Sequence, residues 1–230
     1  MTPAAQLVCD HDDANGERET LMKVTIIGAG NMGRGIGTRL VAGGNEVQVI
    51  DREPAEAQAL AEELGDSATG SSPGDEVTGE VVVLALYYPG VKDAVEQYRE
   101  QLAGKVVVEI TNPIDFATFD GLATPPGTSA AEEIAGLLPE GTPVVKAFNT
   151  TFAGTLVAGE AAGQQLDVLI AGDDDGAKEK VRALVEAGGL RPIDVGSLRR
   201  AQQLEHLGFL HISLQEPLGA GFGSALKLHW

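Results

Sequence analysis

The sequence predicts an α/β fold: a doubly wound, mainly parallel sheet with a C-terminal helical segment and tail. Three observations predict it. Apolar runs of strand length alternate with amphipathic stretches of helix length. Some of the apolar runs, such as Val81–Leu86, are continuous, as expected of strands covered on both faces. The first run leads directly into the glycine-rich turn Gly28-Ala29-Gly30-Asn31-Met32-Gly33.

Lys23–Ile27 reads as the first strand. A helix over Asn31–Ala42 follows, with Ile36, Leu40 and Val41 apolar, and Gly43-Gly44 ends it. Glu46–Ile50 is the second strand, and Pro54 stands in the first turn of a helix reaching Leu64. Gly65–Gly79, rich in Gly, Ser and Asp, reads as loop. Strand Glu80–Leu86, helix Gly90–Gln101 and strand Lys105–Ile110 come next. Thr111–Thr128 holds Pro113, Pro125 and Pro126 and reads as a long irregular loop; one of that length is usually functional. Ser129 and Glu132 form a capping box for helix Ala130–Leu138. Strand Pro143–Phe148 and a short helix after Thr151 follow. Leu166–Ala171 and Leu190–Val195 are strands on either side of helix Asp174–Glu186. Ser197–Leu214 is a helix with Leu198, Ala201, Leu204, Leu207 and His211 on one stripe, and Glu216–Trp230 is a glycine-rich tail.

The organisation expected is a disordered leader over 1–21, a dinucleotide-binding domain over 22–196, and a C-terminal helix and tail over 197–230 that pack on it. The leader contains Cys9 and His11, to which no role is given. Cys9 is the only cysteine, so no internal disulfide and no cysteine-based metal site can form. With 34 acidic and 16 basic residues the net charge is −18, which repels nucleic acid and anionic membranes. The run Val81–Leu86 is too short to span a bilayer, and residues 1–21 lack the apolar core of a signal peptide. A cytoplasmic protein acting on small molecules is expected.

The turn indicates where a ligand goes. Gly28 permits the tight turn, Gly30 lets a pyrophosphate approach the backbone, and Gly33 lets the helix pack on the strand. The helix from Asn31 aims free N–H groups and its positive dipole end at the phosphates. This is a Rossmann-type dinucleotide site. Asp51 ends the second strand, where an acid accepts the ribose hydroxyls of NAD, whereas the adjacent Arg52 suits the 2′-phosphate of NADP. The same pair also fits a helix cap and a solvated arginine.

Ligands in such sheets lie at the carboxyl ends of the strands. That rule adds Leu86, Tyr87 and Tyr88, then Thr111, Asn112 and Pro113, then Asn149 and Thr150. Tyr87 and Tyr88 either pack on the cofactor or fill space. Amide and hydroxyl groups at 111–112 suit a nicotinamide carboxamide, and Asn149 and Thr150 orient a ring. No acid–base catalyst, paired-carboxylate site or metal cluster stands out. His211 reads as a core histidine and His206 as a surface one. Hydride exchange between two redox rings needs alignment more than proton transfer.

The motifs I-G-A-G-N-M-G (27–33), the strand and proline turn at 81–89, V-V-K-A-F-N-T (144–150), A-G-D-D-D (171–175), G-L-R-P-I-D-V-G (189–196) and the glycine-rich stretch 219–227 occur in one order. In that order the chain resembles the coenzyme F420-dependent NADP reductases. It also resembles the nicotinamide domain of six-transmembrane metalloreductases. The resemblance implies NADP at the turn, a deazaflavin (coenzyme F420) or flavin over the nicotinamide, and a homodimer. It implies that Tyr87, Tyr88, Asn112, Asn149, Thr150 and the tail Gly219–Gly223 shape the hydride-transfer cleft. Two positions depart from the archaeal reductases, which tend to carry a histidine at Asn149 and a Ser-Arg or similar pair at Asp51-Arg52. NAD therefore stays open beside NADP, and the second substrate stays open too. A nicotinamide-binding module that senses redox state or docks without turnover is the main alternative. A small hydroxyacid or imine dehydrogenase ranks below it.

Overall fold

The computed structural model describes residues 21–230, so the leader expectation, with Cys9 and His11, lies outside the described residues apart from Leu21. The first unit forms at the expected bounds: β1 (Lys23–Ile27), α1 (Asn31–Ala42), β2 (Glu46–Ile50) and α2 (Pro54–Leu64). β1 and β2 are buried after their first residue and pair in parallel, Ile27 beside Ile50, so both end at one edge.

β3 (Ala68–Ser71) corrects the expectation of a loop over Gly65–Gly79. It pairs in parallel with β2. Its sequence, Ala-Thr-Gly-Ser, has little apolar surface and weak strand preference, so no periodicity marks it. A Cβ on Gly70 would stand 2.7 Å from the Cα of Gln58, so α2 rests directly on the strand backbone there.

β4 (Val81–Leu84), α3 (Tyr88–Leu102) and β5 (Val106–Glu109) follow, then α4 (Ala130–Leu137), β6 (Val144–Lys146) and α5 (Ala153–Ala158). α3 begins two residues earlier than expected, because Pro89 fits the first turn of a helix. The segment 111–128 is irregular as expected, with one bridge between Ile114 and Leu122. A small hairpin, β7 (Glu160–Ala161) and β8 (Gln164–Gln165), was not expected. Its turn uses positive φ at Ala162 and Gly163, the geometry that tight hairpins need. The chain then runs through β9 (Asp167–Gly172), α6 (Asp175–Ala187) and β10 (Arg191–Gly196).

The strand order is β10-β9-β6-β5-β4-β1-β2-β3. Pairing is parallel except between β6 and β9. Strand order reverses beside β1, between β4 and β2, which is where such sheets open a crevice. The core lies on both faces. Ile36, Leu40, Leu60, Val181 and Leu184 cover one side, and Val91, Val95, Leu102 and Ile134 the other.

The last helix differs from the single element expected. A 3-10 turn, Leu198–Arg200, precedes α7 (Ala201–Ser213), and α8 (Gln215–Leu218) follows. Leu204 of α7 packs on Leu169 and Ala171 of β9. The tail is held by Asp167, whose carboxylate accepts from Arg191 (2.6 and 2.7 Å), Lys227 (2.6 Å) and the Leu228 N–H (2.9 Å). Burial pushes the Asp167 carboxyl up, but Arg191, Leu228 and Lys227 outweigh it and hold it down at about 2. Among the described residues no helix is long and apolar enough to cross a membrane.

Candidate functional site

The three glycines of the turn have different reasons to be glycine. Gly28 has φ 116°, and a Cβ there would meet the Ala85 carbonyl oxygen at 2.3 Å. A Cβ on Gly33 would meet the Gly28 carbonyl oxygen at 2.1 Å. Gly30 has an ordinary φ of −71°, and its Cβ would meet nothing within 4 Å. The protein itself demands glycine at 28 and 33 but not at 30. The space beside Gly30 is open.

α1 starts at Asn31 with no side-chain cap and no acid in its first turn. Its leading N–H groups, from Asn31, Met32 and Gly33, keep the anion-binding character of a helix start. Asp51 reaches the turn from the end of β2. One carboxylate oxygen accepts from the Ala29 N–H (2.8 Å) and the other from the Glu53 N–H (3.0 Å). Asp51 thus fastens the turn to the β2 end, and the N-cap of α2 is Glu53. The Ala29 amide is taken by this bond.

Gly28, Ala29, Gly30, Asp51, Arg52, Leu86 and Tyr87 line one cavity of about 780 Å³. That volume falls in the range of cofactor sites, roughly 300–1,000 Å³. Glu53, Glu56 and Asp93 add negative charge, and Arg52 is the one cation in the lining. Tyr88 is not part of it. Its hydroxyl bonds Glu133, which also accepts from Lys92 at 2.7 Å, and Lys92 lies 4.6 Å over the Tyr88 ring. Burial, then the Glu133 bond, raises the Tyr88 phenol above its ordinary pKa. As the first residue of α3, Tyr88 has its hydroxyl turned toward α4.

Thr111, Asn112, Asn149 and Thr150 gather in a second, largely buried group beside α7. Asn112 Nδ2 donates to the Asn149 carbonyl (2.7 Å). Asn149 Nδ2 donates to Asn112 Oδ1 (2.9 Å) and to the Leu204 carbonyl (2.8 Å). Asn149 Oδ1 and Thr111 Oγ1 are buried and have no hydrogen-bond partner among the described residues. Such atoms cost about 1–3 kcal/mol each when left unpaired. Both stand just past the ends of the adjacent strands β5 and β6. Pro113 is buried beside them. His211 is a core histidine as expected: Nδ1 faces the Thr150 carbonyl (3.3 Å), Nε2 faces Ser224 Oγ (2.9 Å), and burial lowers its pKa.

Sequence reasoning missed a charge cluster under this group. Lys146 Nζ donates to Glu109, to the Thr111 carbonyl (2.6 Å) and to Glu205 (2.9 Å). The three charged side chains are fully buried. Glu109 also accepts from the Thr111 N–H (2.7 Å), and Glu205 from the Ala130 N–H at the start of α4 (3.0 Å). Burial pushes the Glu205 carboxyl up; Lys146 pulls it down, Glu109 pushes it further up, and the net is a raised pKa. A signal existed: opposite charges end two neighbouring apolar strands, Val-Val-Val-Glu109 and Val-Val-Lys146.

An aromatic ledge, exposed at Tyr87, Phe116 and Phe119, meets the cavity at Tyr87. Tyr87, Phe116, Phe119 and Phe209 follow one another with ring centroids 6.3, 6.5 and 5.9 Å apart. Phe116 and Phe119 belong to the long loop that was expected to be functional.

The family described as NADP oxidoreductase, coenzyme F420-dependent, matches residues 23–113. The F420-dependent NADP reductase of Methanocaldococcus jannaschii is 30% identical over 84% of this chain and 92% of its own. The metalloreductase STEAP3 of Rattus norvegicus is 34% identical over 80% of this chain, which spans only 36% of that protein. The crystal structure of a candidate F420-dependent NADP reductase from Arthrobacter sp. FB24 superposes with a TM-score of 0.80 at 30% identity, covering 91% of this chain and all of the other.

Proposed function

The chain belongs to the F420-dependent NADP reductase family, and from that premise we propose that this NADP-linked oxidoreductase moves a hydride between NADP(H) and the deazaflavin coenzyme F420. When bound, the two rings supply the hydride chemistry, since each carries two electrons. The protein supplies grip and alignment.

Gly30 carries the reading. Its missing side chain answers no contact within the protein, and it stands beside an uncapped helix start and a cofactor-sized cavity. A diphosphate accepting from those N–H groups would use that opening. Arg52 is the cation in reach of a 2′-phosphate. Thr111 Oγ1 and Asn149 Oδ1 are an unpaired hydroxyl and an unpaired acceptor, the complement of a primary carboxamide. The ledge Tyr87–Phe116–Phe119 offers aromatic faces to a planar second ring. The hydride passes directly between the rings, and the one proton that completes reduction of the deazaflavin would come from solvent rather than from His211, which is buried with its pKa lowered.

The test follows the F420 absorbance with NADPH or NADH as donor, with FMN as a second acceptor. Reduction of F420 by NADPH, faster than that of FMN, is expected. Tight NADPH binding without turnover of either acceptor would overturn the enzyme reading in favour of a redox-sensing module. Turnover of a small imine or ketone instead would favour a dehydrogenase.

A further inference from the structure

The inner face of α7 meets the strand ends through four successive points. The Leu204 carbonyl accepts from Asn149 Nδ2, and Glu205 accepts from Lys146 and from the start of α4. His211 faces the Thr150 carbonyl. Between them lies Gly208, buried in mid-helix. A Cβ built on Gly208 would stand 2.4 Å from Asn112 Oδ1 and 2.8 Å from its Cγ and Nδ2. All three nearest atoms belong to the Asn112 amide. Glycine weakens a helix interior relative to alanine. Its presence here is explained by the one side chain it admits.

We propose that Gly208 is a positioning residue for the hydride-transfer site. Without a Cβ, it lets the Asn112 amide lie against α7, where it bonds both the backbone and the side chain of Asn149. That pairing takes the Asn149 NH2 group and leaves Oδ1 as a free acceptor. Lys146 and Glu205 fix the register of α7, so the space at Gly208 is always opposite Asn112. The proposal rests on the nicotinamide reading of Thr111, Asn112 and Asn149.

Gly208→Ala tests it, because the clash falls on the end of a rotatable side chain rather than on backbone. The fold should survive while the Asn112 amide is driven off its place. Thermal midpoint, saturation-transfer NMR of bound NADP+, and turnover with NADPH and F420 are measured together for wild type, Gly208→Ala, Asn112→Ala and the double variant. In Gly208→Ala the midpoint should fall only slightly, since alanine's gain in the helix offsets part of the lost Asn112–Asn149 bonding, and the adenine signals should persist while the nicotinamide signals weaken relative to adenine. Turnover should fall about tenfold or more, as expected when a reacting ring is misplaced. The double variant should be no worse than Asn112→Ala, since both changes remove one arrangement.

Unchanged nicotinamide signals and unchanged turnover in Gly208→Ala would overturn the proposal. So would a fallen midpoint with adenine and nicotinamide signals lost together, which would mark ordinary packing damage, or additive losses in the double variant. The NMR comparison needs no acceptor, so it decides the matter even if F420 is not turned over. A wild-type protein with no NADP+ signal would instead overturn the functional reading, and this proposal with it.

Discussion

α1 and α4 both begin at the carboxyl edge of the sheet, and their first turns are treated in opposite ways. α4 is closed by the protein itself. Ser129 Oγ accepts from the Glu132 N–H (3.1 Å), and the Glu205 carboxylate accepts from the Ala130 N–H. Lys146 in turn holds Glu205. α1 has neither a capping side chain nor an acid in its first turn. A helix start stripped of its cap forgoes stability, typically about 1 kcal/mol. On the proposed function, α4 is a helix start used for structure and α1 one that a ligand would complete.

The largest test of this contrast is Lys146→Met. It leaves Glu109 and Glu205 fully buried without their cation, and breaking such a pair costs roughly 3–5 kcal/mol. Urea unfolding should show a loss of that order. A loss under about 1 kcal/mol would mean that the cluster does not hold α4 and α7 together.

A smaller effect is expected at the far end of α7's segment, where Asp167 holds the tail. Its carboxyl is lowered from 3.8 to about 2, so its contribution is complete above pH ~4 and is lost as pH falls through about 2. The linkage is worth about 2 kcal/mol for a side chain only 2% exposed. Trp230, the single tryptophan, lies 4.4 Å over the Arg191 guanidinium and reports the event by fluorescence. A transition in its emission near pH 2 is expected, and one centred near pH 4 would remove Asp167 from the role.

The two regions also differ in how far the sequence reveals them. The turn at 28–33 is local. Its strand, glycines and helix follow one another, so spacing alone marks it, and β1, α1, β2 and α2 form where the pattern places them. The cluster under α7 joins residues far apart in the chain: Lys146 lies 37 residues from Glu109 and 59 from Glu205. No periodicity encodes that meeting; only the pairing of β5 with β6 and the docking of α7 create it. The bond from Tyr88 to Glu133 is hidden for a related reason, because strand-end position alone does not say which way a helix's first residue turns. β3 was illegible because Ala-Thr-Gly-Ser gains strand form from its neighbour β2 rather than from its own side chains. The antiparallel step from β6 to β9 follows the short hairpin, whose two-residue strands carry no pattern.

Gly30→Ala tests the open helix start most directly. The thermal midpoint of the variant is compared with wild type, without ligand and with saturating NADPH. The Cβ at Gly30 would meet nothing within 4 Å among the described residues, so the ligand-free midpoint should stay close to that of wild type, a stability difference within about 1 kcal/mol. The NADPH-induced rise seen in wild type should shrink or vanish, because the methyl group occupies the space kept for the diphosphate. A variant that keeps the full NADPH shift, or one already unstable without ligand, would contradict the account.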